Sequence, residues 1–437
     1  MVTRSTKFMS VGIATVLHFL VDGLCVCCLY LMAGTALPDI LPLFLTYNIL
    51  AFMTQPLTGL FVDRLRRKQA ALLISNGLFA SAVALLVGAA LVEGLTGVWA
   101  MAVAVMLGLG NSLFHVWGGR LTAVVSNSDL RALGVFVSSG VLGLTVSVLY
   151  ASWWLMAAML LLLVLLGTFF LFPKVVPDEV RSPLSVSGEG NGRLWLLLPA
   201  VLAFVLMRSF VGEVATEDLD GSRWVLLFLA FAAMVGKAAG GWLARWWGIG
   251  PAIVTCVGFV AFCLIWGEED CDATYVAAFL GVLAINCTMP MTLHLSNRLL
   301  PGREGLSFGL LAAMLLPGSW LAGNMYLSSV QYFMLCALLL TISIELGMLL
   351  LMGEKRMDVL MGAVAVNILT NVPLNYFLLT YGNSVGRLLA GELLVMLLEA
   401  LWYYIFVRQW RKAAVYSLLC NAASFLCGIL IQFIINY

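Results

Sequence analysis

Charge is what this 437-residue chain has least of: only 10% of its residues are Asp, Glu, Lys or Arg, against about a quarter in soluble domains. With 62% of the residues hydrophobic, a water-soluble fold has too little interior to hide them. The net charge is +1, which gives no basic surface for a polyanion and excludes nucleic acid as a partner. Histidine is scarce, with three residues in the whole chain. Ten cysteines are present, but there is no CxxC pair and no disulfide framework. Nine of them lie in apolar runs and only Cys271 falls in a predicted loop. Cys25, Cys27 and Cys28 share one helix and read as packing residues. No short metal-ligand spacing, phosphate-binding glycine loop, Ser/His/Asp arrangement or paired-carboxylate motif stands out. The expectation is therefore a protein that is not an enzyme and has no cofactor and no metal.

What the chain has instead is apolar length. A helix crossing the hydrocarbon layer needs about 20 largely apolar residues, and punctuation at charged, Gly and Pro clusters gives about fifteen such runs. The first follows Arg4 and Lys7 in the manner of a signal peptide. It continues from Phe8 to Met32 without a small-residue cleavage site and is read as a retained transmembrane helix. Lys and Arg crowd alternate connections, at 64–68, 174–193, 298–303, 355–356 and 408–412, while only Arg223 and Arg387 fall on the other side. That pattern predicts an all-α polytopic protein of the plasma (inner) membrane with its amino terminus cytoplasmic. The longest polar connection carries the Pro, Ser and Gly of a flexible linker and splits the first twelve helices into six and six. The expected organisation is a six-helix half at 1–173, a cytoplasmic linker at 174–193, a second six-helix half at 194–353 and an added three-helix module at 354–437. A degraded repeat supports the two halves: Gly59-Leu-Phe-Val-Asp63-Arg64-Leu65-Arg66-Arg67-Lys68 faces Gly240-Gly241-Trp242-Leu243-Ala244-Arg245.

The first of these segments resembles the signature that follows the second helix of the major facilitator superfamily, with Arg66 standing where that family has Gly. Gly59 there admits close helix approach. Asp63 can cap a helix amino terminus or pair with an arginine across an inner gate that also holds Arg64, Arg67 and Lys68. Three more segments resemble the fosmidomycin-resistance branch of the superfamily: His18-Phe-Leu-Val-Asp22, Gly108-Leu-Gly110-Asn111-Ser112-Leu113-Phe114-His115 and Leu299-Leu300-Pro301-Gly302-Arg303. Val116-Trp117 replaces the Pro-Glu pair common in that branch, and the fifth-helix antiporter pattern lacks its proline although Gly134, Ser138, Ser139, Gly140 and Gly143 are present. The resemblance covers residues 8 to 352. It implies a secondary transporter of a small organic molecule, with proton-coupled efflux of a drug or metabolite in the foreground and proton-coupled import as the alternative. A non-transporting scaffold or receptor, recruiting a protein partner through 354–437, is the reading from another class.

Ionisable residues inside a bilayer are costly, so each is a candidate site. His18, His115 and His294 lie on the first, fourth and tenth helices and Arg208 on the seventh, the four that line the central cavity in the superfamily resembled; for His115 and His294, five and four residues from Arg120 and Arg298, an interfacial or packing role is the alternative. Asp22 is fifteen residues from Lys7, and Arg208 is fifteen from Arg193, which sets both roughly 22 Å from the inner ends at 1.5 Å per residue. They are expected to face each other and pair. His18 and Asp22, four apart, share a helix face and form the best candidate proton relay, with an interhelical hydrogen bond as the alternative. Lys237, set to snorkel inward, carries no assignment. In the last three helices Asn367, Asn371 and Asn375 make one stripe. Glu392 and Glu399 share another face, and Ser417, Asn421, Ser424 and Gly428 a third. Interhelical hydrogen bonding is expected there, with a second site or docking surface as the alternative.

Overall fold

The computed structural model describes residues 4–34, 40–92, 97–171, 191–217, 219–269, 273–324, 329–381 and 384–435. Most of the predicted linker and Cys271 lie outside the described residues. Among the described residues the regular structure is helical, with no strand. Six helices come first: α1 (Arg4–Ala33), α2 (Leu41–Asn48, a π turn Ile49–Met53, then Gln55–Arg64), α3 (Gln69–Leu91), α4 (Gly97–Ser126), α5 (Leu130–Ser138 then Gly140–Tyr150) and α6 (Trp153–Gly167). The next six are α7 (Asn191–Val214), α8 (Arg223–Trp247), α9 (Ile249–Glu269), α10 (Thr274–Cys287 then Met289–Leu299), α11 (Glu304–Ala313 then Leu315–Asn324) and α12 (Ser329–Leu351). Three more follow, α13 (Met357–Tyr381), α14 (Val385–Val407) and α15 (Trp410–Ile435). Thirteen helices among the described residues are long and apolar enough to cross a membrane; segmented α2 and α15 occupy the other two predicted runs.

The breaks in α2, α5, α10 and α11 have local causes. Pro56 and Pro290 stand at the start of the second segments of α2 and α10, and Pro317 lies in the first turn of the second segment of α11. Each removes a backbone donor and crowds the preceding turn. In α5 the interruption falls at Ser139, between Ser138 and Gly140, whose hydroxyl donates to the Thr15 carbonyl at 2.6 Å. In a bilayer such irregular backbone survives only where protein or a cavity meets it, and all four broken helices face inward.

The first six helices meet the next six chiefly where α2 packs on α11 and α5 on α8, with α4 on α11 and α5 on α10 adding to the contact. The approach of α2 to α11 requires glycine, because a Cβ on Gly59 would stand 2.7 Å from the Gly305 carbonyl carbon and 2.8 Å from Leu306 Cα. The last three helices do not wrap the whole bundle. α12 packs against α13 and α15, and α13 also reaches α7. The outer face of α14, with Leu389, Leu393, Leu397 and Leu401 all exposed, is suited to lipid.

The polar stripe predicted on α13 turns inward onto a glutamate that no sequence pattern marks. Glu345 of α12, fully buried, accepts from Asn367 Nδ2 at 2.7 Å and from Ser424 Oγ at 3.3 Å. Asn371 donates to Asn367 Oδ1 at 2.9 Å and Asn375 to the Asn371 carbonyl at 2.9 Å. Glu399, also fully buried, accepts from Thr370 at 3.2 Å and from Asn421. Asn367, Thr370, Glu399, Asn421 and Ser424 thus join α12 to α15 by interhelical hydrogen bonds, while Glu392 is half-buried and outside that network. At the basic end of the module Glu354, 5% exposed, accepts from Tyr416 Oη at 2.9 Å and from the Arg356 amide at 3.1 Å.

Candidate functional site

Between the two sets of six helices lies a cavity of about 450 Å³. His18, Asp22, Tyr47 and His115 line it from one side, Arg208 and Lys237 from the other. The rest of the wall is largely apolar, with Phe44, Phe52, Met289 and Phe308 among its residues.

The side built from α1 and α4 holds an ordered polar cluster. His18 and Asp22 sit one turn apart on α1, as do Asn111 and His115 on α4, so two i, i+4 pairs face each other. His18 Nε2 is 3.3 Å from Asp22 Oδ2, and His115 Nε2 is 3.4 Å from Oδ1. Asn111 Nδ2 donates to Asp22 Oδ1 at 3.1 Å and to Tyr47 Oη at 3.1 Å. The imidazole rings meet edge to face, 4.6 Å between centroids. Each Nδ1 is directed at a backbone carbonyl: His18 at Phe136 in the last turn before the α5 break, 2.8 Å, and His115 at Asn111, 3.0 Å. A carbonyl only accepts, so both Nδ1 atoms carry hydrogen and both Nε2 atoms point at one carboxylate. With both rings neutral, two lone pairs would face an anion. A proton on either nitrogen, or on the carboxyl, turns that opposition into a hydrogen bond. The arrangement is chemically a place to take up and release protons. Gly140 makes room for it: a Cβ there would stand 2.6 Å from His18 Nε2 and would overlap Asp22 Oδ2.

The other side carries charge without a partner. Arg208, 6% exposed, has its Nη1 buried and free of any hydrogen bond among the described residues. The expected Asp22–Arg208 pair is not formed, because the Asp22 oxygens are already engaged by His18, His115 and Asn111. His294, expected either on the cavity or in packing, takes the packing role. It does not line the cavity; its Nδ1 bonds the Ser128 carbonyl at 2.7 Å and so ties α10 to the turn before α5. Lys237, left unassigned from sequence, does line it. Two members of the site carry no expectation from sequence: Tyr47, which lines the cavity, and Asn111, which lies behind it and holds Asp22. Asn111 had a signal in its fourth-helix polar motif, whereas Tyr47 had none.

At the basic-loop end the two sets of helices are latched. Asp63 closes α2 and caps the amino terminus of α11, accepting from Gly305 N at 3.0 Å and Leu306 N at 2.9 Å. Arg120 Nε donates to Asp63 Oδ1 at 3.2 Å, and Lys68 Nζ to the Asp63 carbonyl at 2.6 Å. Of the two alternatives raised for Asp63 the helix cap is the one that crosses between the sides; its arginine, Arg120, belongs to α4 on the same side. Arg64 and Arg67 are exposed.

No protein-family model and no curated protein matches the sequence. Solved structures do match the fold. One is a bacterial homologue of the iron transporter ferroportin in an outward-facing state, 14% identical, with a TM-score of 0.54 over 83% of this chain and 98% of that one. Another is the fucose:proton symporter of E. coli, 13% identical, with a TM-score of 0.56 over 85% of this chain and 99% of that one. With its helix order and its lack of strands among the described residues, this likeness establishes an all-α polytopic membrane protein of the major facilitator fold.

Proposed function

We propose that the protein is a secondary transporter that moves a small organic molecule by alternating access, coupled to protons through His18, Asp22 and His115. The observation that carries this reading is the single carboxylate set between two imidazole Nε2 atoms, at 3.3 and 3.4 Å, on the wall of a cavity between two helical halves. Protonation there changes the charge of the wall, and the broken helices beside it supply the joints for rocking. Binding of substrate to one charge state and release from another couples the two fluxes. The Asp63 latch is the contact that must open on the basic-loop side when the cavity turns that way.

Export of the substrate against proton entry is the direction implied by the branch resemblance of the His18–Asp22 and Gly108–His115 segments. Import by symport is the alternative, favoured by the likeness to a fucose:proton symporter. A divalent metal as cargo is a second reading, favoured by the His18, Asp22 and His115 ligand atoms lying within 4.8 Å of one another and by the likeness to a homologue of an iron transporter. Two cations on the opposite wall, Arg208 and Lys237, weigh against it, since they repel a dication in the same low-dielectric space.

The test is reconstitution in liposomes holding a pH-sensitive dye, under an imposed proton gradient, with a panel of amphiphilic organic compounds and a parallel series of Mn²⁺, Fe²⁺ and Zn²⁺. Proton movement driven by an organic compound, and lost in Asp22→Asn, is the expected result. Coupled transport that survives Asp22→Asn unchanged removes the triad from the mechanism. Metal uptake without organic transport selects the second reading.

A further inference from the structure

The opposite wall of the cavity says what kind of molecule fits. Arg208 on α7 and Lys237 on α8 both line it, and among the described residues neither makes an ion pair. Arg208 Nη1 is a charged donor sealed from solvent with no acceptor among the described residues. A buried guanidinium left in that state is costly, and native proteins keep one only when something else satisfies it. The nearest carboxylate on the wall, Asp22, is held by His18, His115 and Asn111 and is not free to do so. With the imidazoles neutral, the lining carries two cations and one anion, a net charge of +1, and any proton taken up by the triad makes it more positive.

Resting on the transporter reading above, we propose that the substrate is an organic monoanion, its acidic group held between Arg208 and Lys237 and its apolar body lying against Phe44, Phe52 and Met289. The guanidinium presents a planar fork of donors that matches a carboxylate in two parallel hydrogen bonds, and the ammonium adds a second cation from the next helix in the chain. While the imidazoles are neutral a single negative charge neutralises the wall, and a cationic drug is repelled by it whether or not the triad is protonated. The cavity of about 450 Å³ falls in the roughly 300–1,000 Å³ range of sites for drug-sized ligands, and its aromatic lining suits a ring or short alkyl chain better than a sugar.

The experiment is equilibrium binding to the purified full chain in detergent, read by tryptophan fluorescence and by the shift in melting temperature. Three probes share one ring system: 2-naphthoate, 2-naphthamide and 2-naphthylmethylamine. Naphthoate is expected to bind and to raise the melting temperature, and the amide and amine to bind at least about 10-fold more weakly. Arg208→Gln and Lys237→Gln are each expected to weaken naphthoate by roughly 10- to 100-fold. Arg208→Gln is also expected to hold or raise the melting temperature of the unliganded protein, because it removes an uncompensated buried charge. A merely structural arginine would do the opposite. Equal binding of acid and amide, full affinity in both variants, or no stabilisation by naphthoate at millimolar concentration each overturns the proposal. Anion binding without any coupled proton movement in liposomes would leave this inference standing and remove the transporter reading; coupled transport of neutral compounds alone would do the reverse.

Discussion

Replacing Asp63 by Asn should loosen the basic-loop end of the molecule without unfolding it. The Asp63 carboxylate accepts the Gly305 and Leu306 amides at 3.0 and 2.9 Å and the Arg120 guanidinium at 3.2 Å. An amide keeps one acceptor oxygen and turns the other into a donor, which then faces an N–H. One hydrogen bond to a charged group is lost, at about 1.5–3 kcal/mol, and this bond exists only while α2 and α11 are together. The equilibrium between latched and open arrangements should therefore shift about 10- to 150-fold towards open. Single-molecule energy transfer between dyes attached through click-reactive amino acids at Arg66 and Gly302, on the two loops beside the latch, measures that population. The dyes should separate more often in Asp63→Asn, while the melting temperature changes little. An unchanged distance distribution would refute the argument that this cap holds the end closed, whatever it did to transport.

Gly140→Ala should push α5 away from the triad, because its Cβ would lie 2.6 Å from His18 Nε2. A cost of about 1–3 kcal/mol in thermal stability and a loss of coupled proton movement are expected, whereas Gly88→Ala, with open space around its Cβ, should be neutral or stabilising. Glu354→Gln tests the loop that anchors the last three helices. Burial alone would raise the Glu354 carboxyl, but the Arg356 amide, the Tyr416 hydroxyl and the charges of Arg356 and Lys412 outweigh it and hold the group below its ordinary value of 4.5. A depressed carboxyl stabilises the fold above its unfolded value and loses that contribution as pH falls through the folded value. The variant should be less stable than wild type by about 1 kcal/mol at pH 7, and the gap should close below pH 4.5 in melting curves recorded across pH.

Lipid solvation makes much of this protein readable from one line of sequence. An apolar run of sufficient length must be a helix, because hydrocarbon leaves no other way to satisfy the backbone, and the spacing of Lys and Arg orders the runs. Helix count, the proline-marked breaks and the Gly59–Asp63 segment are local properties of that kind. The i, i+4 step from His18 to Asp22 is another, since helical periodicity alone puts both on one face. Depth along a helix was legible too, which is why Asp22 and Arg208 were both expected on the cavity wall. What local pattern does not contain is rotation about the helix axis and the choice among partners. Periodicity alone set His18 beside Asp22, but only the packing of α1 against α4 brought it His115 and Asn111 in place of Arg208. The same rotation turned His294 onto the Ser128 carbonyl and Lys237 into the cavity. It also brought Glu345 of α12 under the asparagine stripe of α13. Sequence determined which groups must be buried, since their helices must be; tertiary packing decided which of them are satisfied, and Arg208 is left for a ligand because its geometric partner was already taken.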